Sequence, residues 1–144
     1  MTNVRLVPID RDGSVAELIG GSPHVAGVVE MTVKLYEGRG FVPPWIGYFA
    51  VADGAVVGTC AFTSPPSDGR VEIAYFTFPE LEGRGVATAM ARELIAIART
   101  AGIAVFAHTL PQRNASTTVL ERLGFTLAGT DDHPEDGVIW RWEL

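Results

Sequence analysis

A glycine-rich turn near the middle of the chain is the stretch whose residue types most directly imply chemistry. Gly83-Arg84-Gly85 stands before a long amphipathic segment. A glycine turn that opens a helix leaves backbone N–H groups unpaired, and the positive end of the helix dipole lies behind them. The sequence therefore predicts a site for a phosphate or pyrophosphate group. The residues assigned to that site are Gly83, Arg84, Gly85, Val86, Ala87 and Thr88.

One charged residue interrupts the apolar segment that precedes this turn. Val71 to Phe78 is rich in β-branched and aromatic residues and ends before Pro79, which predicts a strand. Both of its faces are otherwise apolar, so we expect a central strand covered on both sides. Glu72 should be partly desolvated there, which suits a general base. A glutamate at the strand end that pairs with Arg70 or Arg5 is the alternative interpretation.

The segments around the turn predict a strand–helix–strand unit. Apolar residues recur at helical spacing behind the turn, and Gly102 ends the helix. A second strand follows from Ile103 to Thr109, which gives a βαβ unit with parallel strands. The residues predicted to form the buried face of the helix are Val86, Met90, Leu94, Ile97 and Ala101.

Two common nucleotide-binding patterns do not fit this unit. The dinucleotide-binding fingerprint needs a third glycine where Thr88 stands, and an acid at the end of the second strand, where the chain has His108-Thr109. The phosphate loop of nucleotide hydrolases needs Gly-Lys-Ser or Gly-Lys-Thr, which the sequence lacks.

The stretch Glu82-Gly-Arg-Gly-Val-Ala87 resembles the pyrophosphate loop of the GNAT superfamily of acyl-CoA-dependent N-acyltransferases, whose signature is Gln/Arg-x-x-Gly-x-Gly/Ala. Residues 114–125, which begin at Asn114 and end in Leu-Gly-Phe, are similar to a later helix of that family. Glu72-Ile-Ala-Tyr75 resembles the Glu-Ile-Gly-Tyr stretch of the ribosomal-protein N-acetyltransferase branch. Glu82 departs from the signature, and we expect its carboxylate to face solvent.

The resemblance implies an α/β (α+β) fold over residues 1–144, with a mixed, mostly antiparallel sheet splayed in the middle and flanked by helices. It implies acetyl-CoA as acyl donor, with the pantetheine arm paired to the backbone of the first strand at Phe76, Thr77 and Phe78. Asn114 and Ser116 are further candidates for cofactor contact. Both residues are also good helix N-caps, and capping is the preferred interpretation for Ser116.

The family's catalytic acid, a tyrosine, corresponds to Leu120 here, which cannot donate a proton. Glu72 and Tyr75 are therefore the predicted catalytic residues, and His108 is a weaker candidate. Tyr36, Phe41 and Trp45 flank the region where the family closes over its acceptor, so they are assigned to the substrate pocket.

The predicted activity is transfer of an acetyl group to a primary amine by direct attack in a ternary complex. The amine is a small amine, an amino acid or a protein N-terminus. A coenzyme A-binding module without turnover, transfer of another acyl group, and transfer to a hydroxyl are the alternatives.

Composition is consistent with one globular domain. The chain has 144 residues, of which 47% are hydrophobic and 19% charged; such a chain can bury a core. The net charge of −6 argues against a nucleic-acid partner and mildly favours a cationic substrate. The single cysteine, Cys60, is expected to be buried and inert. No membrane segment, metal or signal peptide is expected, so the predicted location is the cytoplasm, with a homodimer possible.

The rest of the chain predicts further strands and helices. The expected strands are Val4–Pro8, a hairpin of Trp45–Ala52 and Ala55–Thr63 around Asp53-Gly54, a strand from Phe125 to Gly129, and Val138–Leu144. The expected helices are a short one from Asp12 or Ser14 to Ile19, and one from Val25 to Tyr36 that buries Val28, Met31, Thr32 and Leu35. Residues 131–137 are expected to form a solvated acidic loop.

Overall fold

The computed structural model describes residues 3–17 and 22–144. Within these ranges the strands are β1 (Arg5–Pro8), β2 (Gly47–Ala52), β3 (Ala55–Phe62), β4 (Arg70–Thr77), β5 (Ala104–Thr109), β6 (Thr126–His133) and β7 (Gly137–Glu143). The helices are α1 (Val25–Arg39), α2 (Val86–Thr100) and α3 (Ala115–Arg122), with a short 3₁₀ helix at Pro79–Leu81.

The described strands form one mixed sheet in the order β1-β2-β3-β4-β5-β7-β6. Every neighbouring pair is antiparallel except β4 and β5, which are parallel. That parallel pair is short, because β4 contacts β5 only over residues 70–72 and 104–106. Beyond this point β4 pairs with β3 alone and β5 with β7 alone. The predicted mixed sheet with a splayed centre is thereby confirmed.

Helices α2 and α3 cover one face of the sheet around the splay. Their apolar side chains pack on the odd-numbered residues of β4 and β5, which joins both strands into the main core. The most deeply buried members include Val71, Ile73, Met90, Leu94 and Leu120. Helix α1 lies on the other face. There Val28 packs against Val7 of β1, against Ile9 directly after β1, and against Phe49 of β2.

On the side of the sheet opposite α2 and α3, the strands near the splay stay accessible. Ala74 and Phe76 of β4 are exposed, and Phe76 keeps 51% of its surface in solvent. The prediction that β4 is covered on both sides is therefore wrong. We call this surface the open face; it carries Glu72, Phe106, His108, Asp131 and Arg141.

Helix α1 buries a different stripe from the one predicted. Val28 and Thr32 are buried as expected, but Met31 is 64% exposed and Leu35 is also exposed. The third buried position is Tyr36. Its hydroxyl donates to the Ile9 carbonyl and accepts from the Gly47 N–H, both at 2.8 Å. These bonds fix the rotation of the helix so that Met31 and Leu35 point outward.

Two other expectations are corrected. Residues 12–17 form turns rather than a helix, because the Asp12 carboxylate accepts bonds from the Ser14 backbone and hydroxyl, and Val15 bridges to Ile9. The expected end of that helix, Ile19, lies outside the described residues. The predicted acidic loop starts too early, since β6 continues to His133 and the turn into β7 is confined to residues 134–136. In α2, Ala101 is exposed and follows the last helical residue.

The hairpin between β2 and β3 agrees with the prediction. Asp53 and Gly54 connect the strands with φ angles of 51° and 78°. Positive φ at both central residues is the geometry that matches the twist of a two-residue hairpin.

Replacing Tyr36 by Phe should destabilise the fold while keeping the ring in place. The change leaves the buried Ile9 carbonyl and Gly47 N–H without their side-chain partner, so we expect a loss of about 1–3 kcal/mol in the free energy of unfolding. Urea denaturation measures this loss. Tyr48→Phe is the matched control, because its hydroxyl serves a single acceptor, the Pro44 carbonyl. Equal stability of Tyr36→Phe and the wild type would contradict the structural role.

Candidate functional site

The splay leaves one edge of β4 unpaired within the described sheet, and the register shows which residues present it. The Phe78 N–H donates to the Val57 carbonyl, and the Thr63 N–H donates to the Glu72 carbonyl. In an antiparallel ladder the hydrogen-bonded residues alternate, so the even-numbered residues of β4 direct their backbone groups to β3. Tyr75 and Thr77 consequently direct theirs into the gap between β4 and β5.

This alternation changes the predicted set of backbone contacts. Thr77 is placed as expected, but the N–H groups of Phe76 and Phe78 face β3 and are not available in the gap. Tyr75 takes their place. The sequence could not supply the register, and the three consecutive residues were assigned without it.

The gap opens into a cavity of about 580 Å³, which we call the glycine-turn cavity. It lies between the end of β4, the turn before α2, and one side of α3. Its lining residues are Tyr75, Phe76, Thr77, Glu82, Gly83, Gly85, Val86, Ala87, Thr88, Ala115, Ser116, Thr118, Val119 and Arg122.

The glycine turn has the geometry of an anion site. Gly83 and Gly85 have φ angles of 79° and 81°, which favour glycine strongly. Gly85 is the N-cap of α2 and no side chain caps this helix end. The N–H groups of the first helical turn therefore have no partner within the helix, and the helix dipole adds positive potential at the same place. A Cβ on Gly83 would meet nothing within 4 Å, so the turn faces open space.

Charged residues at this cavity differ from the expectation. Glu82 is exposed, as predicted, but it lines the cavity instead of facing away from it. Arg84 is exposed and lies outside the lining. Arg122, at the end of α3, does line the cavity. Arg122 could not be selected from sequence patterns, because its proximity to the turn depends on how α3 packs beside α2.

Tyr75 is placed beside the glycine-turn cavity with its hydroxyl 3.3 Å from the Ser116 carbonyl. Burial raises the pKa of Tyr75 to about 12. A thiol has an ordinary pKa near 8.5, so proton transfer from this phenol to a thiolate is uphill. The geometry allows Tyr75 to donate a hydrogen bond and to link β4 to α3.

A second cavity of about 600 Å³ lies on the open face, and we call it the carboxylate cavity. Ser116 lines both cavities, which makes them neighbours. Polar side chains dominate the lining, which comprises Thr63, Glu72, His108, Thr109, Leu110, Asn114, Ser116, Asp131, Asp132, His133, Asp136 and Ile139.

Glu72, His108 and Asp131 form a hydrogen-bonded line across three strands of this cavity. His108 Nδ1 lies 2.7 Å from Glu72 Oε2, and His108 Nε2 lies 2.7 Å from Asp131 Oδ2. Both ring nitrogens can donate only when the ring carries two protons. The other oxygen of Glu72 accepts a bond of 2.9 Å from the Thr63 hydroxyl. Glu72 is thus held from two sides at the point where β4 and β5 separate.

Arg141 of β7 supports the outer end of this line. Its Nη1 lies 3.6 Å from Asp131 Oδ2, and its guanidinium stacks 3.9 Å over the Phe106 ring. The hydrogen bond from His108, and to a lesser extent the charge of Arg141, hold the pKa of the Asp131 carboxyl below its ordinary value of 3.8. Asp131 is therefore a carboxylate at neutral pH.

The sequence identified Glu72 but missed its partners. Glu72 pairs with neither Arg70 nor Arg5 in the described structure; these arginines contact Glu143 and Glu17. The sequence pattern places Asp131 in a loop and contains no signal that points to Arg141. The register places His108 directly opposite Arg141, and Asp131 two residue pairs further along β6 and β7. These partners could be found only by knowing that β6 runs through the acidic residues, because that strand brings Asp131 next to His108.

Asn114 caps α3. Its side chain accepts from the Thr117 N–H, and the Thr117 hydroxyl accepts from the Asn114 N–H, which is a reciprocal capping box. Asn114 lines the carboxylate cavity, whereas Ser116 is a helical residue between the two cavities. The preference for Ser116 as a cap is therefore wrong. Leu120, at the family's acid position, is fully buried.

The residues assigned to the substrate pocket are structural. Tyr36 and Trp45 are buried, at 4% and 9% exposure. Phe41 packs edge-on against Tyr36, and Trp45 packs edge-on against Phe62. Tyr36, Trp45 and Phe62 belong to the main core and Phe41 packs against it, whereas other residues line the two cavities. Cys60 is also buried, and burial raises the pKa of its thiol.

The described residues provide neither a cluster of metal ligands nor a membrane-spanning helix. In residues 3–17 and 22–144, no group of three or more His, Cys, Asp or Glu side chains is arranged to hold a metal ion. Among the helices of the described chain, none is both long enough and apolar enough to cross a membrane.

Comparison with protein families gives a match over most of the chain. A family model described as an acetyltransferase (GNAT) domain matches residues 10–126. No curated protein matches the chain.

Comparison with solved structures gives many matches of the same architecture. The apo form of RimL, a ribosomal-protein alpha-N-acetyltransferase, is 16% identical with a TM-score of 0.69, over 100% of this chain and 94% of that one. The microcin self-immunity acetyltransferase MccE, in complex with acetyl-CoA and AMP, is 15% identical with a TM-score of 0.66, over 87% and 72%. The protein yncA of Salmonella typhimurium, solved with its cofactor acetyl-CoA, is 23% identical with a TM-score of 0.64, over 81% of this chain and 72% of that one. At these identities the likeness concerns the fold.

Replacing Asp131 by Asn should change how stability depends on pH. A carboxyl group with a lowered pKa in the folded state stabilises the fold above its ordinary pKa, and this stabilisation is lost as the pH falls through the folded-state value. We therefore expect Asp131→Asn to be less stable than wild type at neutral pH, with the difference disappearing below the ordinary value of 3.8.

Urea denaturation at a series of pH values measures this difference. Asp53→Asn in the exposed hairpin turn is the control, because asparagine tolerates the same positive φ. A gap between Asp131→Asn and wild type that is constant with pH would contradict the ionised contact with His108.

Proposed function

We propose that this chain, which belongs to the GNAT family of acetyltransferases, transfers an acetyl group from acetyl-CoA to a primary amine. The observation that carries this proposal is the adjacency of the two cavities. One has a helix N-terminus and an unpaired strand edge suited to a long phosphorylated cofactor, and the other presents a fixed carboxylate. They meet at Ser116, beside the point where β4 and β5 separate.

The donor would occupy the glycine-turn cavity. The N–H groups of Val86, Ala87 and Thr88 begin α2 and are suited to the diphosphate of coenzyme A. The Arg122 side chain lines the same cavity and can neutralise phosphate charge. The backbone groups of Tyr75 and Thr77 can pair with the amides of the pantetheine arm, as an added strand would. This arrangement directs the thioester toward the splay and the open face.

The acceptor would approach from the carboxylate cavity. Four carboxylates line it, from Glu72, Asp131, Asp132 and Asp136, and this favours an ammonium group over an anion. Glu72 is the group best placed to take a proton from that ammonium. The resulting amine attacks the thioester carbonyl directly, and bringing both reactants to one point supplies much of the acceleration. A small amine, an amino acid and a protein N-terminus all present this group.

The leaving thiolate does not require the tyrosine that serves as the catalytic acid in the family. Leu120 occupies that position in the core, and the raised pKa of Tyr75 disfavours proton donation. A thiolate is a tolerable leaving group because its conjugate acid has an ordinary pKa near 8.5. Tyr75 can still donate a hydrogen bond that stabilises the sulfur.

Replacing Glu72 by Gln separates an enzyme from a module that only holds coenzyme A. The amide keeps the size of the side chain and a bond to Thr63, but it cannot accept the ammonium proton. We expect acetyl-CoA affinity to be unchanged and turnover to fall about a hundredfold or more. Thiol release from acetyl-CoA, measured with a panel of aliphatic amines, amino acids and short peptides, gives the rate.

The control for this variant is Glu37→Gln, an exposed glutamate of α1. Full activity of Glu72→Gln would reject Glu72 as the base. Tight acetyl-CoA binding by the wild type with no turnover of any amine, and none with hydroxyl acceptors, would favour a binding module. Turnover only with a longer acyl-CoA would replace the acetyl group in the proposal.

A further inference from the structure

A carboxylate that removes a proton from an ammonium ion has to meet two requirements. It must be ionised and fixed before the amine arrives, and it must still bind the proton strongly enough to take it. A neighbouring cation serves the first requirement and opposes the second, because a positive charge within about 4–6 Å stabilises the carboxylate. The surroundings of Glu72 contain a group that can carry such a charge, together with a carboxylate that offsets it.

The group that can carry this charge is the ring of His108. Its two contacts of 2.7 Å are to carboxylates on opposite sides, Glu72 on β4 and Asp131 on β6. Two ring N–H groups satisfy both contacts at once, whereas a neutral ring would set an unprotonated nitrogen against a carboxylate oxygen. The ring side chain is 21% exposed and Glu72 is 24% exposed, so solvent screens this pair only partly.

The offsetting charge is Asp131. It lies on the far side of the ring from Glu72 and neutralises part of the ring's charge. Arg141 of β7 is the other charged group in contact with Asp131, and it is shared with Glu143. Directly after β3, the neighbour of Glu72 is the uncharged Thr63. The remaining charged or titratable residues that line the cavity are Asp132, His133 and Asp136.

We infer that His108 and Asp131 are positioning residues for the base. His108 fixes the Glu72 carboxylate, and Asp131 limits how far the charge of the ring lowers the proton affinity of Glu72. The inference rests on the proposed function. In the step itself an ammonium N–H bond breaks and an O–H bond forms on Glu72, while the ring keeps both of its protons. The electron pair left on nitrogen then forms the bond to the thioester carbon, and the C–S bond breaks to release the thiolate.

The two partners should act in opposite directions on the pH profile. His108→Gln removes the cation, so Glu72 is protonated more easily and the acidic limb of kcat/KM moves to higher pH. Asp131→Asn removes the offsetting charge, so the same limb moves to lower pH, and kcat at its plateau falls about tenfold because the base is weaker. A general loss of structure would move the acidic limb in the same direction in both variants, or would leave it unmoved in both.

The experiment combines kinetics with a measurement that needs no acceptor. Thiol release with acetyl-CoA and ethylamine as the probe is followed against pH for wild type, His108→Gln, Asp131→Asn and the control Asp53→Asn. Nitrogen-15 NMR of labelled histidine reports how many protons each ring carries, and His108→Gln identifies the signal among the three histidines. Calorimetry with acetyl-CoA checks that every variant keeps the donor site.

Opposite shifts of the acidic limb, with a doubly protonated His108 ring at neutral pH, are the expected result. If ethylamine is not turned over, the ring alone decides: two protons on the ring in both the wild type and Asp131→Asn support the inference. A singly protonated ring in the wild type overturns it, as do limb shifts in one direction. Failure of the wild type to bind acetyl-CoA would instead refute the proposed function.

Discussion

The short parallel pairing of β4 with β5 is the constraint on which the rest of the site depends. The two strands are held together by three residue pairs and then separate. Backbone groups at a strand edge need hydrogen-bond partners when they are removed from water, so the splay creates an edge that a ligand can complete. It also places Glu72 at the last paired position, between the gap and the open face. A longer parallel ladder would close the gap and remove the reason for both cavities.

At this point the two faces of the sheet have different roles. Helices α2 and α3 pack on the odd-numbered side chains of β4 and β5, and this apolar core fixes the positions of both strands. The even-numbered side chains are free to be polar, and that face of the sheet carries a continuous line of polar contacts from Glu72 through His108, Asp131 and Arg141 to Glu143. Because each of these side chains is held by a strand rather than a loop, their separations are set by the register of the sheet. Turn and helix terminus then supply the anion site beside them.

The sequence predicted the parts of this account that depend on local patterns. The strand before the glycines, the helix after them and the Asp53-Gly54 hairpin follow from β-branched runs, helical spacing and turn residues. Glu72 could be selected because one charge in an apolar strand is unusual. The glycine turn could be selected because its role as an anion site depends only on the helix that begins directly after it.

What the sequence could not supply is information that depends on register and packing. His108 and Asp131 are 23 residues apart, and only the pairing of β5, β7 and β6 brings them together. Tyr36 was misassigned because an aromatic residue beside a loop looks the same whether its hydroxyl faces a substrate or the backbone of Gly47. Phe76 was expected to be covered because apolar strands usually are, and its exposure follows from the absence of a described helix over that part of the open face. Arg122 reaches the glycine turn through the packing of α3 beside α2.

Amide hydrogen exchange along β4 tests the central claim most directly. The account predicts that the Tyr75 and Thr77 amides, which face the gap, exchange rapidly in the free protein and become protected when acetyl-CoA is added. The Ala74 and Phe76 amides, which face β3, should be protected in both states, and NMR resolves the four signals individually. Protection that does not change at Tyr75 and Thr77 in the presence of saturating acetyl-CoA would contradict the claim that the splay receives the cofactor.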